Sequence, residues 1–583
     1  MAKQYLDIDL LKRVFALAKP YNSTLILSAF LALILAPLTV ARPYLIKEMV
    51  DKYIFVGDIQ GMTKMAVIIF VVLILNVLCR YLFIYYTNWL GHSVIRDLRV
   101  KVFSHITNMR LSYFDKTPIG TSTTRTINDI ETVNTIFTQG LITIIADIIS
   151  LITVLIVMFM TSIKLTLICL STMPFMIIAT YIFKEKVKAA YNVVRTQISK
   201  MNAFLQERIS GMRVIQIFNA EQQEMEKFKK INRNYTQANL DSILYYAIFF
   251  PVVEIISAVA LGLMVWWGAQ GVIQGDVTLG ALIAFPLFLS MLFRPMRMLA
   301  DKFNTLQMGL VASDRVFRVL DTDSFISDEG EVVVDKMEGS ISFEDVSFAY
   351  VEDEYVLKDV SFEIKAGETL AIVGSTGSGK STIINILNRF YEIKKGKICI
   401  DGRSICDYKL ECLRDRVGMV LQDVFLFSGS VLENINLRNP AISKEQVIEA
   451  SKMIGAHEFI SKLPNTYDYQ VMERGATLSM GQRQLISFVR ALVFDPDILI
   501  LDEATSSIDP ESESIIQYAI EKLITKRTSI IIAHRLSTIK HADKIMVIDK
   551  GVIKEFGSHN ELMKIEGGAY KELYEMQFLE LSH

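Results

Sequence analysis

Nine consecutive residues, Gly374, Ser375, Thr376, Gly377, Ser378, Gly379, Lys380, Ser381 and Thr382, follow the strand-like run Thr369 to Val373 and precede the apolar helical run Ile383 to Leu387. The pattern G-x-x-x-x-G-K-[ST], in strand, loop, helix order, is chemistry for polyphosphates. Glycines let backbone N–H groups wrap the phosphates, and the helix N-terminus adds positive potential. Lys380 then reaches the β- and γ-phosphates, and Ser381 supplies a ligand for Mg²⁺. A second apolar strand, Ile498 to Leu501, ends in Asp502 and Glu503. At that position Asp502 would hold the metal through water and Glu503 would polarise an attacking water, because phosphoryl transfer is mostly positioning and charge stabilisation.

These residues need a soluble α/β domain to position them, and only the C-terminal part of the chain has that composition. At 583 residues the chain exceeds a single core. Before about Ser324 it consists of apolar runs interrupted by basic loops. Six segments are long and apolar enough to cross ~30 Å of hydrocarbon: about 25–46, 65–86, 141–161, 165–183, 244–267 and 279–298. The connections after the second and fourth are long and carry Arg96, Arg99, Lys101, Arg110, Lys116 and Arg125, then Lys184, Lys186, Lys188, Arg195, Lys200, Arg208 and Arg213. Such an excess marks the cytoplasmic side. It places the N-terminus there too, and an even number of spans returns the chain to the cytoplasm for its soluble part. Leu11, Val14, Phe15 and Ala18 at helical spacing, among Lys12, Arg13 and Lys19, read as an amphipathic helix on the membrane surface. The first residues do not have the order of a cleavable signal peptide.

The expected organisation is a transmembrane domain over 1–322 with that N-terminal elbow helix, a short acidic linker over 323–338, and a nucleotide-binding domain over 339–583. The fold class is an all-α six-helix transmembrane domain followed by an α/β P-loop ATPase domain. A net charge of -2, with no basic stripe, argues against a nucleic-acid partner. Cys79, Cys169, Cys399, Cys406 and Cys412 form no C-x-x-C pair and read as reduced thiols. Asp147 and Glu254 lie inside apolar spans, where an ionisable group is costly and marks either function or a helix-to-helix contact. Tyr44, Phe83, Phe137, Phe249, Phe285 and Phe288 are available to line a greasy cavity or to pack between helices.

With these motifs in place, the chain resembles, over essentially its whole length, an ABC exporter half-transporter of the multidrug and lipid-export type. The resemblance implies roles residue by residue. Tyr350, after Phe343 to Ala349, would stack on the adenine of ATP. Gln422, in Val420-Leu421-Gln422-Asp423, would sense Mg²⁺ and contact the membrane half. Leu478-Ser479-Met480-Gly481-Gln482 matches the signature loop, Ser507-Ile508-Asp509 the loop that crosses the dimer interface, and His534 the histidine at the γ-phosphate. Tyr113 to Gly120, then Arg125 to Asp129, is similar to the family's first cytoplasmic loop, and Glu207 to Phe218 to the second. Such loops dock on the ATPase domains, one of them on the partner's.

The resemblance also implies a second half-transporter subunit, because each ATP lies between the phosphate loop of one chain and the signature loop of another. Met480 departs from the usual Leu-Ser-Gly-Gly-Gln: a bulky side chain removes the close approach that only glycine allows. In this family an altered signature loop together with an intact acidic Glu often marks one member of an unequal pair, so a heterodimer is expected over a homodimer. The implied activity is ATP-driven export, or inner-to-outer leaflet flipping, of a hydrophobic or amphipathic substrate across a bacterial inner membrane. Alternatives on the same scaffold are a homodimeric lipid flippase, a siderophore importer, and a nucleotide-gated channel or regulator. No siderophore-interaction domain, leader-peptidase-like domain or long regulatory insert is apparent.

Overall fold

The computed structural model describes residues 8–54, 56–352, 354–502, 510–533 and 539–581. It divides into two compact units, one comprising Met1–Thr107 and Ile119–Asp323, the other Asn108–Pro118 and Ser324–His583.

The first unit is helical. Among the described residues five helices are long and apolar enough to span a bilayer: Lys19–Ile54, Ile59–Thr107, Ile119–Thr161, Ile163–Ser210 and Glu221–Gln274. The sixth expected span opens the helix Leu279–Leu320, whose described apolar stretch is Leu279–Pro295. Helix lengths exceed what hydrocarbon requires. At 49 residues, Ile59–Thr107 is about 74 Å long, more than twice the thickness of an apolar core.

The short turns have local causes. Ser162 is extended and its hydroxyl accepts the Leu165 N–H, which restarts the helix at Ile163. Gly275, at φ +80, ends Glu221–Gln274 in the left-handed conformation. Thr278 then caps the next helix by accepting the Ala281 N–H.

Phe285, Phe288, Leu292 and Phe293 pack with Val154, Met158, Leu165 and Met264 in the core of this unit. Phe137, Phe249, Phe285 and Phe288 are therefore helix-packing residues and not cavity lining. Their rings fill space between helices, where dispersion is strongest. Asp147 forms a hydrogen-bonded ion pair with Lys302, half-sheltered between two helices. The N-terminal helix Ile8–Ala16 is tied to the end of the sixth-span helix. There Arg13 makes a two-pronged pair with Asp321 and lies 4.2 Å over the Phe317 ring.

Among its described residues the second unit holds three sheets, one of them only the pair Gly429–Ser430 and Gln470–Val471. In the six-stranded sheet the order is Val552–Gly557, Lys544–Asp549, Thr369–Val373, Thr528–Ile532, Ile498–Asp502, Val417–Val420, all parallel except the first. Its strands are nearly continuous apolar runs because both faces are covered. Residues alternate between two cores: Ala371, Val373, Leu499, Leu501 and Ile531 enter one, while Leu370, Ile372, Ile498, Ile500 and Ile530 enter the other. A four-stranded antiparallel sheet, Tyr355–Ile364, Ile341–Ala349, Lys395–Ile400, Arg403–Ser404, completes the second core.

The stretch expected as a linker is bonded along its length to this unit. Arg389, 4% exposed, donates to the Ser327 carbonyl at 2.7 Å. Asp328 accepts the Leu410 N–H at 2.7 Å. Val332 exchanges backbone bonds with Asp407 and Lys409. The Asp401 carboxylate then collects the N–H groups of Glu338, Gly339 and Ser340 at 2.9, 2.9 and 2.8 Å. Three donors would lose a charged acceptor in Asp401→Ala, so that variant should cost about 2 kcal/mol and lower the unfolding midpoint by several degrees. Thermal melts of the purified chain in detergent check this; an unchanged midpoint would remove the cap from the account.

Asn108–Pro118 also belongs to the second unit. The Arg110 N–H donates to the Ser324 carbonyl at 2.7 Å. Its guanidinium donates to the Phe325 carbonyl and pairs with Glu392 at 3.7 Å.

Candidate nucleotide site

Parallel pairing puts the carboxyl ends of four adjacent strands on one edge, where open α/β sheets bind ligands. Ile372 is level with Ile532, Ile532 with Asp502, and Val420 with Leu501. Gly374, Asp502 and Gln422 therefore leave their strands at one edge of the sheet.

The loop Gly374–Gly379 is fixed by what its glycines permit. Gly374 has φ +156, and a Cβ there would lie 2.1 Å from the Ile548 carbonyl oxygen. Gly379, at φ +111, heads the helix Lys380–Leu387 without a side-chain cap, and a Cβ on it would approach Leu357 to 2.8 Å. Only glycine suits both backbone angle and space. Lys380 is folded back over its loop, 7% exposed. Its ammonium donates to the Gly374 and Ser375 carbonyls at 2.8 and 2.9 Å. Burial pushes its pKa below the ordinary lysine value, and the charge of Asp502 opposes that shift. Ser378 Oγ is buried with no hydrogen-bond partner among the described residues. A helix start without a side-chain cap, a buried hydroxyl with no partner among the described residues and a buried cation held by carbonyls form a cradle that fits an anion.

Ser381 is exposed at the helix start, and Thr382 is buried beneath it. Tyr350 donates its hydroxyl to Thr382 Oγ1 at 3.3 Å. Its ring, 39% exposed, stands edge-on to Phe348 at 4.8 Å and to Tyr391 at 5.0 Å. An exposed aromatic face thus sits beside the helix that follows the cradle. Gln422 and Asp423 are exposed just past the Val417–Val420 strand. A hydroxyl at Ser381, a carboxylate at Asp502 and an amide at Gln422 suit a magnesium ion that shares its coordination with phosphate oxygens.

Ser479, Met480, Gly481 and Gln482 lie elsewhere. Ser479 caps the helix Met480–Phe494 through a reciprocal box with Gln482. That helix buries Leu485, Ile486, Phe488 and Val489 in the core on one face of the central sheet. The phosphate-loop helix buries Ile383, Ile384, Ile386 and Leu387 in the core on the other face. Glu503, Ser507, Ile508, Asp509 and His534 lie outside the described residues.

Tyr391 escaped the sequence reading. Its hydroxyl donates to the Asp115 carboxylate, and burial together with that bond raises its pKa. It joins the candidate adenine-side aromatic to the Asn108–Pro118 segment. Its place three residues after the buried end of the phosphate-loop helix, at Asn388, was the available signal.

Two family models match the chain: the ABC transporter transmembrane region over residues 25–296 and the ABC transporter over 357–506. The chain is 39% identical over 572 residues to YknV of Bacillus subtilis, an uncharacterized ABC transporter ATP-binding protein, covering 97% of this chain and 94% of the relative. It is 36% identical over 580 residues to YgaD of the same organism, named provisionally as a multidrug export ATP-binding/permease protein, covering 98% and 100%. The ATP-dependent lipid A-core flippase of Desulfotalea psychrophila is 36% identical over 570 residues, covering 98% and 99%. Among solved structures, a bacterial Atm1-family ABC exporter with ATP bound superposes with a TM-score of 0.77 at 29% identity, covering 95% of this chain and 98% of that one.

Proposed function

The chain belongs to the ATP-binding cassette exporters, an integral membrane ATPase coupled to transport, and from that premise we propose that it is one unequal half of a heterodimer moving a drug-like or lipid-like amphiphile outward. The membrane would be a bacterial inner membrane with the N-terminus and ATPase domain in the cytoplasm. The Lys and Arg bias of the long loops supports that orientation.

The observation that carries the two-subunit reading is the division of the ATPase unit by its sheet. Phosphate loop and signature helix pack on opposite faces of it. A chain that presents its own loop to one nucleotide would offer Ser479, Met480, Gly481 and Gln482 to a second nucleotide on another chain. Exposed apolar residues support the same reading. Ile209, Met212, Val214, Ile217 and Phe218 are exposed on and around the short helix Met212–Ile217, and Leu421, Phe425 and Phe427 are exposed on the ATPase unit. Each set would be covered by its counterpart across subunits.

In the proposed site Tyr350 stacks on adenine, and the loop Gly374–Gly379 with Lys380, Ser381 and Thr382 holds the phosphates. Ser381, Asp502 and Gln422 would hold Mg²⁺, which neutralises phosphate charge when bound. Glu503 takes the proton of the attacking water, His534 contacts the γ-phosphate, and Asp509 crosses the interface. Closure on two nucleotides, which bind the closed dimer more tightly than the open one, drives the helices outward. Hydrolysis resets them.

Met480 supports inequality: the helix start keeps its capping box, yet a long side chain stands where a γ-phosphate must come close. The chain purified alone should be mostly inactive. Co-purification with a similar subunit should raise ATP turnover at least tenfold. A stable, fully active homodimer would overturn the heterodimer and leave the exporter reading intact.

A further inference from the structure

A cavity of about 740 Å³ opens on the second unit, at the end of the phosphate-loop helix away from the cradle. Four pieces of chain line it: 327–332, the helix end at Ile386 and Arg389, 391–398 and 404–407. Its walls are tied to one another. Arg389 donates to the carbonyls of Ser327, Ile405 and Tyr408 at 2.7, 3.2 and 3.4 Å, and Val332 exchanges backbone bonds with Asp407 and Lys409, both at 3.0 Å. A preformed cavity of that volume has the size that takes a drug-like molecule.

The lining is apolar in its depth and acidic at its mouth. Ile386, Ile398 and Ile405 are buried beneath it, and half-buried Ile393 and Tyr391 continue the apolar wall. Four carboxylates, Glu329, Glu331, Glu392 and Asp407, are exposed around it, against two cations, Lys397 and Arg389. Of these, Arg389 is buried and committed to carbonyls. Charges of one sign beside a low-dielectric wall concentrate counter-ions and repel ions of their own sign. The complementary occupant is an apolar body that carries a protonated amine.

Two wall residues reach beyond the cavity. Tyr391 stands edge-on to Tyr350, the candidate adenine-side aromatic, at 5.0 Å and donates to the Asp115 carboxylate. Glu392 pairs with Arg110 at 3.7 Å, and both side chains are more than a third exposed. An exposed, loose ion pair is weak and open to competition from another cation. We propose that the cavity is a regulatory site for a cationic amphiphile. Its ammonium displaces Arg110 from Glu392 and its apolar body packs on Tyr391, which loosens Asn108–Pro118 and lowers ATP turnover. Every residue of the site belongs to the second unit, so the inference goes beyond the exporter reading and is independent of the cargo.

Cys406 supplies the reporter, because it lines the cavity and is exposed, whereas Cys399 and Cys412 are buried. The active assembly in nanodiscs is alkylated with N-ethylmaleimide, and the rate at Cys406 is followed by peptide mass spectrometry. The probes are naphthylbutylammonium and the alcohol and carboxylate of the same skeleton. Half-protection of Cys406 should need at least about tenfold less of the ammonium than of either analogue. In Glu329→Gln/Glu331→Gln, both at exposed positions, that advantage should shrink several-fold, while basal ATP turnover and the alkylation rate without probe stay parental. A ratio of potencies is read because a folding defect moves all three probes together. In the parent, ATP turnover should fall several-fold over the same concentrations that protect Cys406. Absence of protection, equal potency of the alcohol or carboxylate, or an advantage unchanged in the glutamine pair would overturn the site. Inhibition without protection would overturn it too, by assigning the effect to the membrane half, and protection without inhibition would overturn the regulatory role.

Discussion

Lys380→Ala should abolish ATP turnover, by at least a hundredfold, and remove the thermal stabilisation that MgATP gives, while the nucleotide-free protein melts close to the parent. The two halves of this result have different causes. Lys380 is buried and its ammonium is held by the carbonyls of its own loop. Burial disfavours its charge, so deleting it removes a desolvated cation along with its two hydrogen bonds, and these effects on the empty protein offset one another. With nucleotide present the balance changes. In the proposed site phosphate oxygens would replace the carbonyls as acceptors, and the charge-assisted bonds to them would exist only in the bound and transition states. A hundredfold loss corresponds to about 2.7 kcal/mol. Phosphate release and differential melting with and without MgATP measure the two quantities. Parental turnover in the variant would remove the loop from its assigned role.

Glu503→Gln is expected to leave nucleotide binding intact and to lower hydrolysis by about two to four orders of magnitude. The amide matches the carboxylate in size and still accepts a hydrogen bond, but it cannot take a proton from water. Nucleotide should therefore stay trapped in the closed assembly. Since Met480 would impair one of two composite sites, loss of Glu503 should eliminate nearly all turnover if the site it serves is the competent one. Retained labelled ATP after rapid desalting, together with phosphate release, checks the prediction. Unchanged hydrolysis would mean that another group activates the water.

Local pattern made much of this legible from residues alone. The phosphate loop announces itself because its glycines answer to backbone angles and close approaches that no other residue tolerates, as the 2.1 Å clash at Gly374 shows. The spans were readable because hydrocarbon imposes a length, and the strand Ile498–Asp502 because a doubly covered parallel strand is a plain apolar run. Long-range partners were not readable. Asp147 stands out in the sequence as a carboxylate inside an apolar span, but its counter-ion Lys302 is 155 residues away, and no period links them. Tyr391 has no motif of its own. Its importance arises from the Tyr350 ring on one side and Asp115, 276 residues away, on the other. The acidic stretch 323–338 looks like a spacer by composition, yet its backbone donors and acceptors, which composition does not encode, are matched by Arg389, Asp401, Asp407 and Lys409. Phe285 and Phe288 were eligible for a substrate cavity by type, and packing claimed them instead.

The eleven-residue segment Asn108–Pro118 folds with a lobe whose remaining sequence begins more than two hundred residues later. A recombinant fragment started at Ser324 to obtain a soluble enzyme would leave the Ser324 and Phe325 carbonyls and the Tyr391 hydroxyl without the groups they bond. Restoring those groups requires supplying the missing peptide, either in trans or grafted ahead of the fragment. Chimaeras that exchange ATPase halves between related exporters need Arg110 and Asp115 to travel with the half they serve.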